Sequence, residues 1–411
     1  MKSPLTLIEP VGPQPLYRFA ERMDRLKMSA IRELLKLTER PEVISLAGGL
    51  PAPELFPVAE FAEACAEVLR DDGPAALQYM TTEGYLPLRR WVCEHLFAAN
   101  GLETTPERVL IVSGSQQGVD LVSKVLLDPG DFVVIENPSY LGAIQAFDAY
   151  QAAYLDVATD DAGMLPADLR RVLATAPRKP KMIYLVANFA NPTGITTSLE
   201  RRREIVGIAR EYGVPIFEDD PYGRLRYSGD ALPSLASIAG DDGVIYAGTA
   251  SKTIAPGMRV AWLVLPDPVL HDKVVMAKQA ADLHTSTFAQ RAVYAYVRKP
   301  GAVERHVEMM IPVYRSRRDT MIAELKAKLP AGWSWAYPDG GLLLWMRAPQ
   351  NVDTTKLLER ALERHVAFVP GAPFWVNRDV RNTLRVSFSN SPEERIRDGI
   401  DRLAATIAEE S

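Results

Sequence analysis

Two cysteines, Cys65 and Cys93, are all that the 411 residues contain. They form no C-x-x-C pair, so no disulfide framework is expected, and a reducing compartment, the cytoplasm, is. Histidine is as sparse: five residues, scattered, without H-x-H or H-E-x-x-H spacing, so no metal site is expected. No apolar run approaches the roughly 18 residues of a membrane span, and Met1 to Thr6 opens no signal-like stretch. A net charge of -5 with no basic tract argues against nucleic acid as a partner. What remains, 47% hydrophobic and 24% charged, suits a globular enzyme with a sizeable core.

Residues 1–17 are rich in proline and read as an arm, and helical spacing of apolar residues follows over 23–37. Val43 to Leu46 reads as a short strand leading into a Gly48-Gly49 turn. From there to about 297, helices (58–70, 86–99, 116–127, 140–150, 166–175, 199–212) alternate with short apolar strands (109–112, 132–136, 182–186, 215–218, 243–246, 260–265). Uniformly apolar strands separated by helices predict a mostly parallel sheet covered on both faces. A long helix is expected over 302–328, kinked or started at Pro312, and then a smaller α+β region.

One short run stands out: Tyr246-Ala247-Gly248-Thr249-Ala250-Ser251-Lys252, followed by Arg259. A strand feeds a small, polar turn that presents a lysine. Amines attack carbonyls, and hydroxyls with an arginine suit a phosphate. An aldehyde that carries a phosphate is pyridoxal phosphate (PLP). Alone, the run is better read as a surface lysine after a strand. Ligands in parallel α/β sheets gather at the carboxyl ends of strands, so the other strand ends test the idea.

Ser113-Gly114-Ser115-Gln116-Gln117 opens a helix and could form an anion nest or an ordinary cap. Asn137-Pro138-Ser139-Tyr140 brings a flat ring, for stacking on a cofactor or for core packing. Asn191-Pro192-Thr193-Gly194 is a turn with an amide to offer. Asp219-Asp220-Pro221-Tyr222 brings carboxylates, either solvated or paired with a protonated pyridine nitrogen, since an unpaired buried charge is costly. A nest, a ring, an amide, a carboxylate with a phenol, and a lysine with an arginine are together the groups that bind PLP.

At these residues the chain resembles fold-type I PLP-dependent aminotransferases (class I/II). The segments Ser29-Ala30-Ile31-Arg32-Glu33-Leu34-Leu35-Lys36, Ser45-Leu46-Ala47-Gly48-Gly49-Leu50-Pro51-Ala52-Pro53 and Gly371-Ala372-Pro373-Phe374 make it similar to the 2-aminoadipate/kynurenine aminotransferase subgroup. The resemblance implies an α/β fold with a mostly parallel seven-stranded sheet in a large PLP-binding domain (55–300). A smaller α+β domain would be built from an N-terminal segment (1–54) and a C-terminal part (301–411).

It further implies that Lys252 bonds the cofactor's aldehyde and moves the substrate's α-proton. Asp219, three residues before Tyr222 in the family's D-x-x-Y spacing, would pair with the pyridine nitrogen. Tyr222 and Asn191 would hold the phenolic oxygen, and Tyr140 would stack on the ring. Ser115, Gln116, Thr249, Ser251 and Arg259 would surround the phosphate, with Tyr79 reaching over from a second subunit of a homodimer. Arg385, a surface arginine by pattern alone, would clamp the substrate's α-carboxylate beside Asn191 and Gly49.

Arg32 could bind a distal carboxylate of glutamate or 2-aminoadipate, or form a surface salt bridge. Tyr17, Phe19 and Phe374 could instead line an apolar slot. Departures from the family's pattern, Thr249-Ala250, Ala190 and Ala261-Trp262, leave phosphate binding intact and put the substrate side chain in doubt. The expected reaction is transfer of an amino group from an L-amino acid to a 2-oxo acid. A β-lyase or decarboxylase on the same scaffold is the alternative. A PLP-sensing regulator is disfavoured, because it needs a winged helix-turn-helix ahead of residue 28.

Overall fold

The computed structural model describes residues 16–26 and 42–409. Arg32 and most of the helix expected over 23–37 lie outside them. The main sheet is assembled from strands β2 (Val109–Val112), β3 (Phe132–Asn137), β4 (Ala153–Asp160), β5 (Gly163–Met164), β6 (Met182–Leu185), β7 (Ile216–Asp220), β8 (Val244–Thr249) and β9 (Ala261–Val264). Their order is β2-β9-β8-β7-β6-β3-β4-β5. From β8 to β4 the pairings are parallel, while β9 runs antiparallel to both β8 and β2. Every residue of β2, β6, β8 and β9 is buried, as strands with helices on both faces require.

The sheet therefore has eight strands where seven were expected. The addition is β5, a two-residue return paired antiparallel with the end of β4. β4 itself was absent from the strand candidates. It lies near the edge, is mostly half-buried, and carries polar residues, so it has no apolar run to betray it.

Helices cover both faces: α1 (Val58–Ala76), α2 (Leu86–Asn100), α3 (Ser115–Leu126), α4 (Leu141–Ala149), α5 (Pro166–Thr175), α6 (Leu199–Tyr212), α7 (Leu235–Ala239), α8 (Pro268–Asp282) and α9 (Thr287–Val297). Local chemistry sets their ends. The Ser198 hydroxyl accepts from the Arg201 amide at the start of α6, and Gly213, at φ 62°, stops it in a left-handed turn. α10 (Ala302–Lys328) runs through Pro312 without interruption, so that proline neither starts nor ends the helix.

Beyond α10, β10 (Ser334–Trp335), β11 (Leu343–Arg347), β13 (Val369–Pro370) and β14 (Thr383–Ser387) form a four-stranded antiparallel sheet in the order β10-β11-β14-β13. α11 (Thr354–Glu363) and α12 (Glu393–Ala408) accompany it. The N-terminal strand β1 (Ile44–Ser45) pairs in parallel with β12 (Val366–Ala367), which fastens the front of the chain to its back. The Gly48-Gly49 turn is thereby carried over the carboxyl ends of the main sheet.

Candidate active site

Strand β8 ends at Thr249, and the turn after it presents Lys252, a partly buried residue. Its Nζ donates to the Gly49 carbonyl at 3.0 Å and lies 5.8 Å from the Tyr222 ring centre. Burial brings its pKa down to about 8, helped by the positive charges of Arg385 and Arg259. An ordinary lysine is protonated almost completely at that pH; this one is divided between its two forms.

Strand β7 supplies acids in succession. Asp219 is buried; its Oδ2 accepts from the Tyr184 hydroxyl at 2.9 Å, and its Oδ1 is buried with no hydrogen-bond partner. Desolvation raises its pKa to about 7 against the opposing pull of the Tyr184 bond. Asp220 is occupied instead, accepting from Asn188 Nδ2 (3.0 Å), the Gly223 amide (3.0 Å) and the Tyr246 hydroxyl (2.9 Å). Glu218, also lifted by burial to about 7, takes the Leu235 and Ala236 amides that open α7.

A chain of contacts joins Lys252 to Arg385. The Asn191 amide hydrogen-bonds to the Tyr222 hydroxyl, whose pKa burial pushes well up. Asn191 Oδ1 accepts from Arg385 Nη1 at 2.9 Å, and Arg385 Nη2 donates to the Ala47 carbonyl at 2.8 Å. Arg385 Nε is buried and unpartnered, and its guanidinium lies 5.3 Å from the Phe374 ring. Burial lowers this arginine to about 10. Far from a surface residue, it is 2% exposed.

On the other side of the lysine, Thr249 Oγ1 donates to Ser251 Oγ at 3.0 Å and accepts the Ser251 amide at 3.1 Å. Arg259 has left-handed backbone geometry (φ 52°), and its Nη2 donates to the Ser113 carbonyl at 3.2 Å. The guanidinium passes so close to Gly114 that a Cβ there would lie 2.0 Å from Nη2. Gly114 also has a φ of 89°, so a side chain is excluded twice over. Ser115 begins α3 just beyond, with the free amides of a helix N-terminus.

These residues fit PLP: an orphaned buried carboxylate oxygen for a protonated ring nitrogen, two hydroxyls, a cation and a helix start for a phosphate, and an accessible amine for an aldehyde. Tyr140 caps α4 at the same edge and interacts electrostatically with Tyr222 and Arg385. Two expected contributors sit apart. The Gln116 side chain donates to the Gly142 carbonyl at 2.6 Å, and Tyr79 is 77% exposed, its ring edge-on to His284.

The sequence reading missed two supports. Tyr184 looks like an apolar residue of a buried strand, yet its hydroxyl is the donor that steadies Asp219. Lys278 is fully buried and ties Gln117 (2.9 Å), Asp282 (2.8 Å) and Thr285 (3.1 Å) together beneath the Ser113-Gly114 loop. Neither lies in a recognisable motif. A lysine four residues before an aspartate on α8 was the available signal for the second.

Fold and site together define a PLP-dependent aminotransferase, and the chain belongs to the class I and II aminotransferase family, which matches residues 41–403. It is 44% identical over 392 residues to the 2-aminoadipate transaminase of Thermus thermophilus, covering 95% of this chain and 96% of that one. It is 42% identical over 395 residues to aromatic-amino-acid aminotransferase 1 of Thermococcus litoralis, covering 95% and 94%. The kynurenine aminotransferase of Pyrococcus horikoshii, solved with PMP, superposes with a TM-score of 0.91 at 40% identity, over 95% of this chain and 97% of that one.

Proposed function

We propose that this aminotransferase takes its amino group from L-glutamate or 2-aminoadipate in one half-reaction and serves an aromatic or branched amino acid in the other, with 2-oxoglutarate as an acceptor. Relatives at similar identity act on 2-aminoadipate and on aromatic amino acids, which supports dual use. The observation that carries the site assignment is the buried Asp219 Oδ1, which no group of the described residues satisfies.

Bound there, PLP supplies an electron sink for the charge left when the substrate's α-carbon loses its proton. The chain supplies the rest. Asp219 is fixed before charge develops and keeps a ring nitrogen protonated, an electrostatic contribution that needs no reorganisation. Asn191 and Tyr222 hold an acceptor oxygen between them. Thr249, Ser251, Arg259 and the start of α3 with Ser115 hold the phosphate, and Tyr140 covers the ring. Arg385 grips the α-carboxylate as a forked donor and so orients the Cα–H bond. The Lys252 amine, at about 8, takes that proton and returns it. The Gly49 carbonyl keeps the amine in place between turnovers.

The exposed ring of Tyr79 supports a homodimer in which it completes the neighbouring subunit's phosphate site. Gln116 contributes there through its backbone amide. The free thiols of Cys65 and Cys93 fit a cytoplasmic enzyme. Residues 55–300 form the PLP-binding domain, and the described residues before 55 and after 300 make the smaller one. Visible absorbance tests the whole reading. A yellow band that bleaches with L-glutamate and returns with 2-oxoglutarate is the expected result. A band indifferent to glutamate moves the donor to the aromatic and branched class, and no band after adding PLP sinks the assignment of Lys252.

A further inference from the structure

A cavity of about 700 Å³ lies away from Lys252, which is not among its lining residues. It lies between the main sheet and the four-stranded sheet, behind the Asn191–Gly194 turn. Its volume is that of a small-molecule site. One wall is the turn itself (Thr193 and Gly194); the other carries Trp335, Trp345 and Arg347, with Trp375 alongside.

The polar groups facing it are unevenly committed. Trp375 Nε1 is spent on Thr383 Oγ1 at 3.0 Å, and Arg378 is spent on Asp156 at 2.7 Å. The indole N–H groups of Trp335 and Trp345 and the guanidinium of Arg347 take part in no hydrogen bond or ion pair of the described residues, and neither do the Asp161 and Asp339 carboxylates, which also line the cavity, whereas Asp160 is spent on Arg201. Flat apolar faces beside a cation for a carboxylate and two carboxylates for an ammonium suit a zwitterionic α-amino acid with an aromatic side chain.

Both walls are one contact away from Arg385. The Trp345 ring sits edge-on to Phe374 at 5.5 Å, and Phe374 lies beneath the Arg385 guanidinium at 5.3 Å. The turn that forms the opposite wall begins at Asn191, which accepts from Arg385. We propose that this cleft is a second, regulatory site for an aromatic amino acid, and that its occupant weakens substrate binding by displacing Phe374 and Asn191 from Arg385. The coupling rests on Arg385 being the carboxylate anchor.

The test uses PLP-loaded enzyme, glutamate and 2-oxoglutarate, with α-methyl-L-tryptophan as the probe because it has no α-hydrogen to lose. The apparent KM for glutamate should rise on the order of fivefold and then reach a plateau, as coupling between two sites requires. Arg347→Ala and Trp335→Ala should leave KM unchanged without the probe and abolish the rise. A KM that climbs linearly without limit, equally in those variants, would place the probe in the active site and overturn the proposal. No change in KM in an active enzyme would overturn it too. Absence of turnover with any donor would break the aminotransferase roles instead.

Discussion

The two faces of strand β7 carry acids of the same kind in opposite states. On one face, Glu218 takes two backbone amides and Asp220 takes three donors, so both carboxylates are consumed by the fold. On the other, Asp219 has, among the described residues, a single donor, Tyr184, and one buried oxygen with no partner. Neighbours in a strand point to opposite sides, so one residue of offset separates an acid satisfied by the fold from one left short of donors, the acid proposed to meet PLP. A buried charge already satisfied inside the protein holds the fold. A buried charge left short is held ready for something that arrives, and its desolvation cost is tolerated for that reason.

The comparison can be broken most severely away from the strand, at Lys252, the amine proposed to work with Asp219. Lys252→Ala should lower turnover by about 10³–10⁴-fold while the protein stays folded, as removal of a proton-transfer group does; a single-turnover assay with L-glutamate reads it. Near-normal turnover would leave Asp219 with no reaction to support.

Next come the two faces themselves. Asp219→Asn should cost about 10²–10³-fold in kcat with little loss of stability, the size expected for a fixed electrostatic group. Asp220→Ala should do the reverse, costing about 1–3 kcal/mol of stability in a denaturant titration by stranding the donors it satisfies. Equal effects of the two changes on kcat would erase the distinction.

Tyr184→Phe sharpens the contrast, because it removes the one donor that Asp219 has among the described residues. PLP should then bind roughly tenfold more weakly, the loss of one hydrogen bond to a charged group. The pH below which PLP binding fails should move upward, since the Tyr184 bond is what holds the acid's pKa down.

The smallest effect is on stability against pH. In the folded, PLP-free protein Asp219 titrates at about 7, against about 3.9 in an unfolded chain. Between those values the folded form keeps a proton that the unfolded form releases. Stability is therefore unaffected by this group below about pH 4 and falls as pH rises towards 7. Asp219→Asn should flatten that part of the slope, leaving the parts due to Glu218 and Glu136, which burial also lifts to about 7. Thermal melts between pH 4 and 8 would show it.

That polar groups at several strand ends gather round Lys252 was legible because small residues, a lysine and an arginine form unusual local runs. The choice between Asp219 and Asp220 was not, without the family's spacing: both are aspartates at a strand end, and only the positions of Tyr184, Asn188 and Tyr246 tell them apart. Arg385 was hidden for a similar reason. Its strand pattern is that of any half-exposed strand, and its burial comes from Ala47 and Asn191, 338 and 194 residues away. β4 escaped notice because a strand near an edge needs no continuous apolar run. Pro312 misled in the other direction, for a helix as long as α10 absorbs the loss of one hydrogen bond.

The close passage of Arg259 over Gly114 ties two distant positions into one heritable unit. Any side chain at 114 evicts the guanidinium, and a shorter residue at 259 removes one of the two reasons for glycine while the left-handed backbone keeps the other. Position 114 is not free to drift while Arg259 stays. An arginine at 259 without a glycine at 114 would mark a descendant in which the guanidinium no longer takes this path to the Ser113 carbonyl.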